Sequence, residues 1–288
     1  MTELAARLRR LRDQAGVAKI EAVTNVASPA IAPTAPWPAG LERLLAVRRP
    51  VSARPRLSAV RPAGLGRELA PGLWFAEDVT DWPSVPAPFD GTFAKLPEPI
   101  DPADVLLLDT ETTGLAGGTG TRAFMIGVAR WQGRRFVLRQ LTITALAGEA
   151  AMLEQLRAWI APTTVLATYN GKSYDAPLLA TRFRLERMAN PLQGLRHIDL
   201  LHPVRRRWRA QWPNCRLATA ERQLLGVIRE DDLPGAQAPA AWLRFLRAGD
   251  PTDLYRVLKH NAQDLRSLAG VLGHLAALES ASDTMALP

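Results

Sequence analysis

Cysteine is almost absent: Cys215 is the only one in 288 residues. No internal disulfide and no cysteine-based zinc site can form from this chain alone, and a reducing compartment fits best. Long apolar runs are missing as well. No stretch approaches the roughly 18 uncharged apolar residues that a membrane span requires, so no membrane partner is expected. The N-terminal MTELAARLRRLRDQAG also lacks the apolar core of a secretory leader. The expectation is a soluble, cytoplasmic protein without internal repeats. Acidic residues are outnumbered, 28 Asp+Glu against 36 Lys+Arg, for a formal net charge of +8. Such a field attracts polyanions, and nucleic acid is the first partner to test, although codon bias also yields Arg-rich and Ala-rich chains. With 47% hydrophobic residues, the chain can bury one substantial core plus an appended segment, but not two large domains.

Thirteen of the 23 prolines fall in the first hundred residues. Proline sustains neither helix interiors nor central strands, so residues 1–100 read as a basic, proline-rich extension, partly disordered. Within it, Leu4 to Arg12 has helical spacing with a basic face, and Ala27 to Ala39 reads as an extended linker. Apolar patches such as Gly72 to Ala76 suggest a few strands lying against the main domain, which is expected over 101–280 and followed by a disordered tail at 281–288.

The pattern sharpens at Asp104. Val105 to Leu108 is a continuous apolar run that ends in acidic residues, as for a buried central strand. Ala123 to Trp131 and Arg135 to Thr144 flank a turn-like Gln-Gly-Arg and should pair as a hairpin beside it. Gly148 to Ile160 has amphipathic helical spacing, Thr164 to Thr168 reads as a buried strand, and Asp175 to Met188 as a helix. Further helices are expected at Leu200 to Arg209, Leu217 to Leu225, Ala240 to Arg247 and Thr252 to Leu278. Antiparallel strands followed by alternating helix and strand imply a mixed sheet with helices on its faces.

Three acidic clusters stand out. Period-two alternation points Asp109 and Glu111 to one side of their strand, so they can share a metal, while Thr110 faces the other way. Thr112, Thr113 and Gly114 then supply hydroxyls and backbone freedom; alone, acidic residues at a strand end also fit a solvated turn. Asn170-Gly-Lys-Ser-Tyr-Asp175 lies between strand and helix, where Asp175 equally suits a helix start favoured by the macrodipole. His260 and Asp264 are four residues apart on one helix face, which in isolation is an ordinary solvated face.

In this order the clusters resemble the three motifs of the DEDD 3′→5′ exonucleases, from about Asp104 to Leu275. The segments LLLDTETTGL, YNGKSYDAPLL and KHNAQDLRSLA are most similar to the YprB-like branch of ribonuclease H-like domains, as are the runs Gly118–Phe124, Cys215–Glu221, Leu225-Gly226 and Asp232–Gly235. The resemblance implies an α/β, ribonuclease H-like mixed five-stranded sheet flanked by helices, behind the proline-rich extension. It also implies 3′→5′ exonuclease activity on DNA or RNA. By the family pattern Asp109 bridges two divalent cations, Glu111 and Asp264 complete one, and Asp175 supports the other through water. Hard carboxylate oxygens suit Mg²⁺ or Mn²⁺, and two ions roughly 4 Å apart would clamp the attacking and leaving oxygens of an in-line displacement. The family has either Tyr four residues before the last Asp or His five before it; here His260 stands at the tyrosine spacing. It suits water activation near neutral pH, unless the shifted spacing turns the ring away.

Arg205-Arg206-Arg207-Trp208, within a run extending to Trp212, interleaves cations with indoles and is a candidate strand-binding patch, or an amphipathic helix with buried tryptophans. Lys172 is a candidate contact for the scissile strand, with Thr112, Asn170 and Tyr174 beside it. Glycines 114, 117, 118 and 120 suggest a mobile loop, Asp199 sits near the metals or caps the next helix, and His202 and His274 read as structural. Two alternatives stay open: a catalytically silent nucleic-acid-binding module of the same fold, and a structure-specific endonuclease.

Overall fold

The computed structural model of the chain describes residues 63–82, 87–96, 98–114, 120–230 and 232–285, all within a unit spanning Leu57–Pro288. The helix expected at 4–12, the linker at 27–39, and glycines 117 and 118 lie outside the described residues. In chain order the strands are β1 (Arg67–Ala70), β2 (Leu73–Asp81), β3 (Phe89–Asp90), β4 (Pro99–Ile100), β5 (Val105–Thr112), β6 (Ala123–Gln132), β7 (Arg135–Ile143), β8 (Val165–Thr168) and β9 (Arg196–Asp199). The helices are α1 (Glu149–Ala158), α2 (Asp175–Leu185), α3 (Leu201–Trp208), α4 (Leu217–Ala220), α5 (Ala238–Ala248) and α6 (Thr252–Met285). A π turn, Glu221–Leu225, continues α4. Among the described residues no helix is long and apolar enough to cross a membrane.

Strand β5 lies in the interior of a seven-stranded mixed sheet ordered β1-β2-β7-β6-β5-β8-β9, antiparallel except for the β5–β8 and β8–β9 pairs. Its apolar run has no polar side because both faces are covered. Leu106 and Leu108 pack with Phe124, Leu179 and Trp242, whereas Val105 and Leu107 pack with Ile198, Leu265 and Leu272 on the opposite face. The turn between β6 and β7 uses Gly133 at φ 59, a left-handed conformation that glycine adopts without steric penalty.

Seven strands are found where five were expected. The two additional ones are β1 and β2, which extend the sheet beyond β7. Strand β2 pairs with β7 from Leu73↔Ile143 to Asp81↔Arg135, but only Leu73 and Trp74 are buried, so its exposed second half carries no hydrophobic signature. Strand β9 has four residues, too few for periodicity to reveal. Helix α6 continues seven residues past the expected Leu278, as far as Met285.

Helix α6 bears on both cores, with Leu254 and Val257 in one and Leu265, Leu268 and Leu272 in the other. Its close approach to β6 depends on Gly127: a Cβ there would lie 2.1 Å from Asn261 Oδ1 and 2.8 Å from Leu265 Cδ1. Buried Gln140 on β7 completes the junction, donating to Asn261 Oδ1 at 2.8 Å and to the Leu258 carbonyl at 2.9 Å. Gly127→Ala should therefore push α6 off the sheet and destabilise the protein by about 1–3 kcal/mol, the usual range for overpacking. Urea unfolding measures this; an unchanged midpoint would show that the helix shifts freely.

Candidate active site

At Asp109 strand β5 changes from apolar to acidic while still inside the sheet. Glu111 is buried and Asp109 partly so. Burial raises the pKa of Asp109 well above the ordinary carboxyl range, and negative charge on Asp264, Asp175 and Glu111 raises it further. Against this, Asn261 Nδ2 donates to Asp109 Oδ2 at 2.8 Å. Burial also raises Glu111, as do Asp264, Asp175 and Asp232, with partial relief from Arg229.

Thr110, expected to face away from Asp109 and Glu111, instead lines the same hollow and donates through Oγ1 to Asp175 Oδ1 at 2.5 Å. Burial pushes Asp175 up to about 6 even though this hydrogen bond works in the opposite direction. Asp175 opens α2 at the end of a loop whose shape is set by another carboxylate. Asp199 Oδ1 accepts the backbone N–H of Asn170 at 2.7 Å and of Leu201 at 3.1 Å, and Oδ2 accepts that of Lys172 at 3.0 Å. Asn170 takes φ 67, and Gly171 passes so close to Thr168 that a Cβ would lie 2.5 Å from its Cβ. Asp199 thus combines the capping role with anchorage of the acidic loop.

Helix α6 supplies the remaining groups. His260 and Asp264 line the same hollow as Asp109, Glu111 and Asp175, a cavity of about 470 Å³ that also has Thr112, Asn170 and Tyr174 in its wall. His260 Nε2 lies 3.5 Å from Asp264 Oδ2, and Nδ1 lies 2.7 Å from Asp232 Oδ1. The same Nδ1 lies 3.2 Å from Arg229 Nη1, so the ring is held on that side by both an acid and a guanidinium. Arg229 ties the surroundings together: its guanidinium binds Glu221 and Asp264 and donates to Asp232 Oδ2 at 3.3 Å. Burial disfavours its charge, but hydrogen bonds and attraction from Glu221 and Asp264 outweigh that and raise its pKa. Burial likewise raises Asp264, while His260 and Arg229 pull it down. Ser267 donates to Glu221, which is itself buried.

Sequence reasoning missed Asn261, Arg229, Asp232 and Glu221. Asn261 lies between two flagged residues and Asp232 within a segment noted for its resemblance, but neither position carries a local signal of its partner. Among the other candidates, Lys172 is exposed, with its backbone rather than its ammonium engaged. Arg206 donates to the Phe93 carbonyl, the Arg207 guanidinium lies 5.8 Å from the Trp208 ring centre, and Trp208 stacks on Trp212 at 4.8 Å.

The donor set suits a hard cation: four carboxylates in one hollow, their pKa values raised by burial and, for Asp109 and Glu111, by mutual repulsion, conditions a divalent ion relieves. Among the described residues, no three His, Cys, Asp or Glu side chains stand together as a group that could hold a metal ion in this arrangement. Two of the carboxylates are occupied by protein donors, Asp175 by Thr110 and Asp264 by Arg229.

A family model described as RNase_H superfamily matches residues 106–276. The uncharacterized protein YprB of Bacillus subtilis (strain 168) is 37% identical over 174 residues, which make up 60% of this chain and 42% of YprB. Escherichia coli exonuclease I in complex with a dT13 oligonucleotide aligns with a TM-score of 0.36 at 18% identity, over 54% of this chain and 43% of the enzyme. The family B DNA polymerase from Pyrobaculum calidifontis aligns with a TM-score of 0.41 at 16% identity, over 70% of this chain and 29% of the polymerase. The chain thus spans less than half the length of each of these relatives. The match to the family model covers most of the chain and includes the sheet from β5 to β9 and all the acidic positions: this chain belongs to the RNase_H superfamily.

Proposed function

We propose that the chain is a divalent-cation-dependent nuclease that hydrolyses phosphodiester bonds of DNA or RNA, working from the 3′ end. The observation that carries this reading is the convergence of Asp109, Glu111, Asp175 and Asp264, from three separate segments, on one hollow in which burial keeps their pKa values high. Asp109, Glu111 and Asp264 would hold one Mg²⁺ or Mn²⁺, with Asp109 and Asp175 holding a second. When bound, the ions stabilise the charge that develops on the attacking and leaving oxygens of an in-line displacement.

The chain's own groups do the rest. Asp232 holds the His260 ring in place with Nε2 beside Asp264, where it would accept a proton from the attacking water. Asn261 holds the Asp109 carboxylate against the sheet. Thr112, Asn170 and exposed Tyr174 present polar and aromatic surface to the terminal nucleotide, with Lys172 at the rim. Arg229 balances the charge of Asp264 until a cation takes its place.

The hold of Arg229 on Asp264 favours a second reading, a non-hydrolytic nucleic-acid-binding module. One assay separates the two. On end-labelled single and double strands of DNA and RNA, the wild type should shorten the substrate with Mg²⁺ or Mn²⁺ and stop with EDTA. Asp109→Asn and Asp264→Asn should each lose activity about 10³-fold or more, equivalent to about 4 kcal/mol or more of transition-state stabilisation. Full activity in either variant refutes the assignment, and binding without any shortening establishes the module. Circular substrates should remain intact; their cleavage would make the enzyme an endonuclease. His260→Ala should lower kcat about 10²-fold with little change in KM, as for loss of a general base.

The same repulsion predicts a stability effect. In EDTA, Asp109→Asn should be more stable than the wild type by about 1–2 kcal/mol, because it removes a buried negative charge beside three others. Mn²⁺ should raise the Tm of the wild type but not of the variant, as followed by differential scanning calorimetry. A variant destabilised in EDTA would show that these charges do not oppose one another.

A further inference from the structure

The hollow next to the carboxylate pocket has the opposite charge. It encloses about 840 Å³ and is lined by Lys95, His202, Arg205, Arg206, Arg209 and Trp212, with no carboxylate in its wall among the described residues. His202, Arg205 and Arg209 follow one another at helical spacings of three and four, which places them on one face of α3 and its C-cap. Cations at a helix C-terminus are favoured by the macrodipole, and that alone explains one or two arginines. It does not explain why Lys95, brought in from a separate segment, faces the same cleft. Other arginines of the chain meet acids: Arg139 pairs with Glu77, Arg182 with Glu149, Arg266 with Asp78. Among the described residues, neither Lys95, Arg205 nor Arg209 has an acid within ion-pair distance.

One hydrogen bond links the linings of the two hollows. Tyr169 lines the carboxylate pocket, and its hydroxyl donates at 2.7 Å to the carbonyl of Cys215, which lines the basic one. A strand leaving the acidic site over this tyrosine would meet the cationic cleft next. There Trp212, half-buried and backed by Trp208 in a parallel stack with 2° between the rings, offers a rigid indole. The candidate run is thereby sorted: Arg205 lies in the cleft, Arg206 borders it while tethered to the Phe93 carbonyl, Arg207 lies in a different hollow, and Trp208 supports Trp212.

We infer that this cleft is the track for the single strand whose end lies in the carboxylate pocket, with Lys95, Arg205 and Arg209 binding backbone phosphates and Trp212 stacking a base. This rests on the nuclease reading for which end enters the pocket, but not for the binding itself. A cleft lined by one sign of charge concentrates polyanions, and stacking on an indole is tolerant of base identity.

The test is metal-free binding. Asp109→Asn protein in EDTA is titrated against fluorescent dT and rU single strands of about 15 nucleotides, and anisotropy is followed as salt is raised. On this background Arg205→Gln/Arg209→Gln should weaken binding at least tenfold. It should also flatten the plot of log K against log salt by about 1.4, the value for two single-strand phosphate contacts. Trp212→Leu should weaken binding without changing that slope. Arg247→Gln, an exposed arginine of α5 outside both hollows, serves as the control for loss of a distant charge and should change neither. Circular dichroism melts confirm that each variant is folded. If the double variant keeps both affinity and slope, or only matches Arg247→Gln, the track is refuted while hydrolysis by the wild type stands untouched. If the slope flattens as stated but the wild type never shortens a strand, the track stands and the nuclease reading falls.

Discussion

Four carboxyl groups gathered in one partly buried hollow are the constraint on which the rest of this structure depends. Like charges at this separation in protein raise one another's pKa, and an isolated fold would relax by turning them outward. Here they are prevented from doing so. Asp109 and Glu111 are fixed by a strand covered on both faces, Asp175 by the anchored loop before α2, and Asp264 by a helix packed on both cores. The repulsion is offset by single donors placed on individual oxygens: Asn261 on Asp109, Thr110 on Asp175, Arg229 on Asp264. Each donor is neutral or belongs to a wider network, so the pocket retains a preference for added positive charge.

Around this sits a surface of opposite character. The net charge of the chain is positive, yet four carboxyl groups meet in one hollow while Lys95, Arg205 and Arg209 line another. A polyanion is attracted at long range by the whole molecule and repelled at short range by the pocket unless cations accompany it. The acidic and basic hollows are linked by the contact of Tyr169 with Cys215.

Much of this was legible from pattern. The four-residue spacing put His260 and Asp264 in one hollow, whereas Thr110, expected from alternation to face away from Asp109 and Glu111, lines that hollow with them and bonds Asp175. What sequence could not supply were partners distant along the chain. Asn261 is an unremarked amide in mid-helix until Gly127 lets it approach β5, and Gln140 is one polar residue in an apolar strand until it bonds Asn261. Arg229 and Asp232 lie in an irregular connection, where no periodicity constrains direction. The imidazole at the tyrosine spacing is held in the hollow by Asp232, a compensation that spacing alone cannot show. Strand β2 was only half visible, because its outer half pairs through backbone groups and buries little.

Helix α6 carries His260, Asn261 and Asp264 within five consecutive residues, and both cores clamp it. An α-helix turns about 100° per residue, so a slip of one position would swing all three side chains out of the hollow together. The three groups thus share a single mechanical coordinate. Insertions in the connection before Thr252 are harmless if absorbed there and ruinous if passed on to the helix, which makes the axial seating of Asn261 over Gly127 the register mark of the whole molecule.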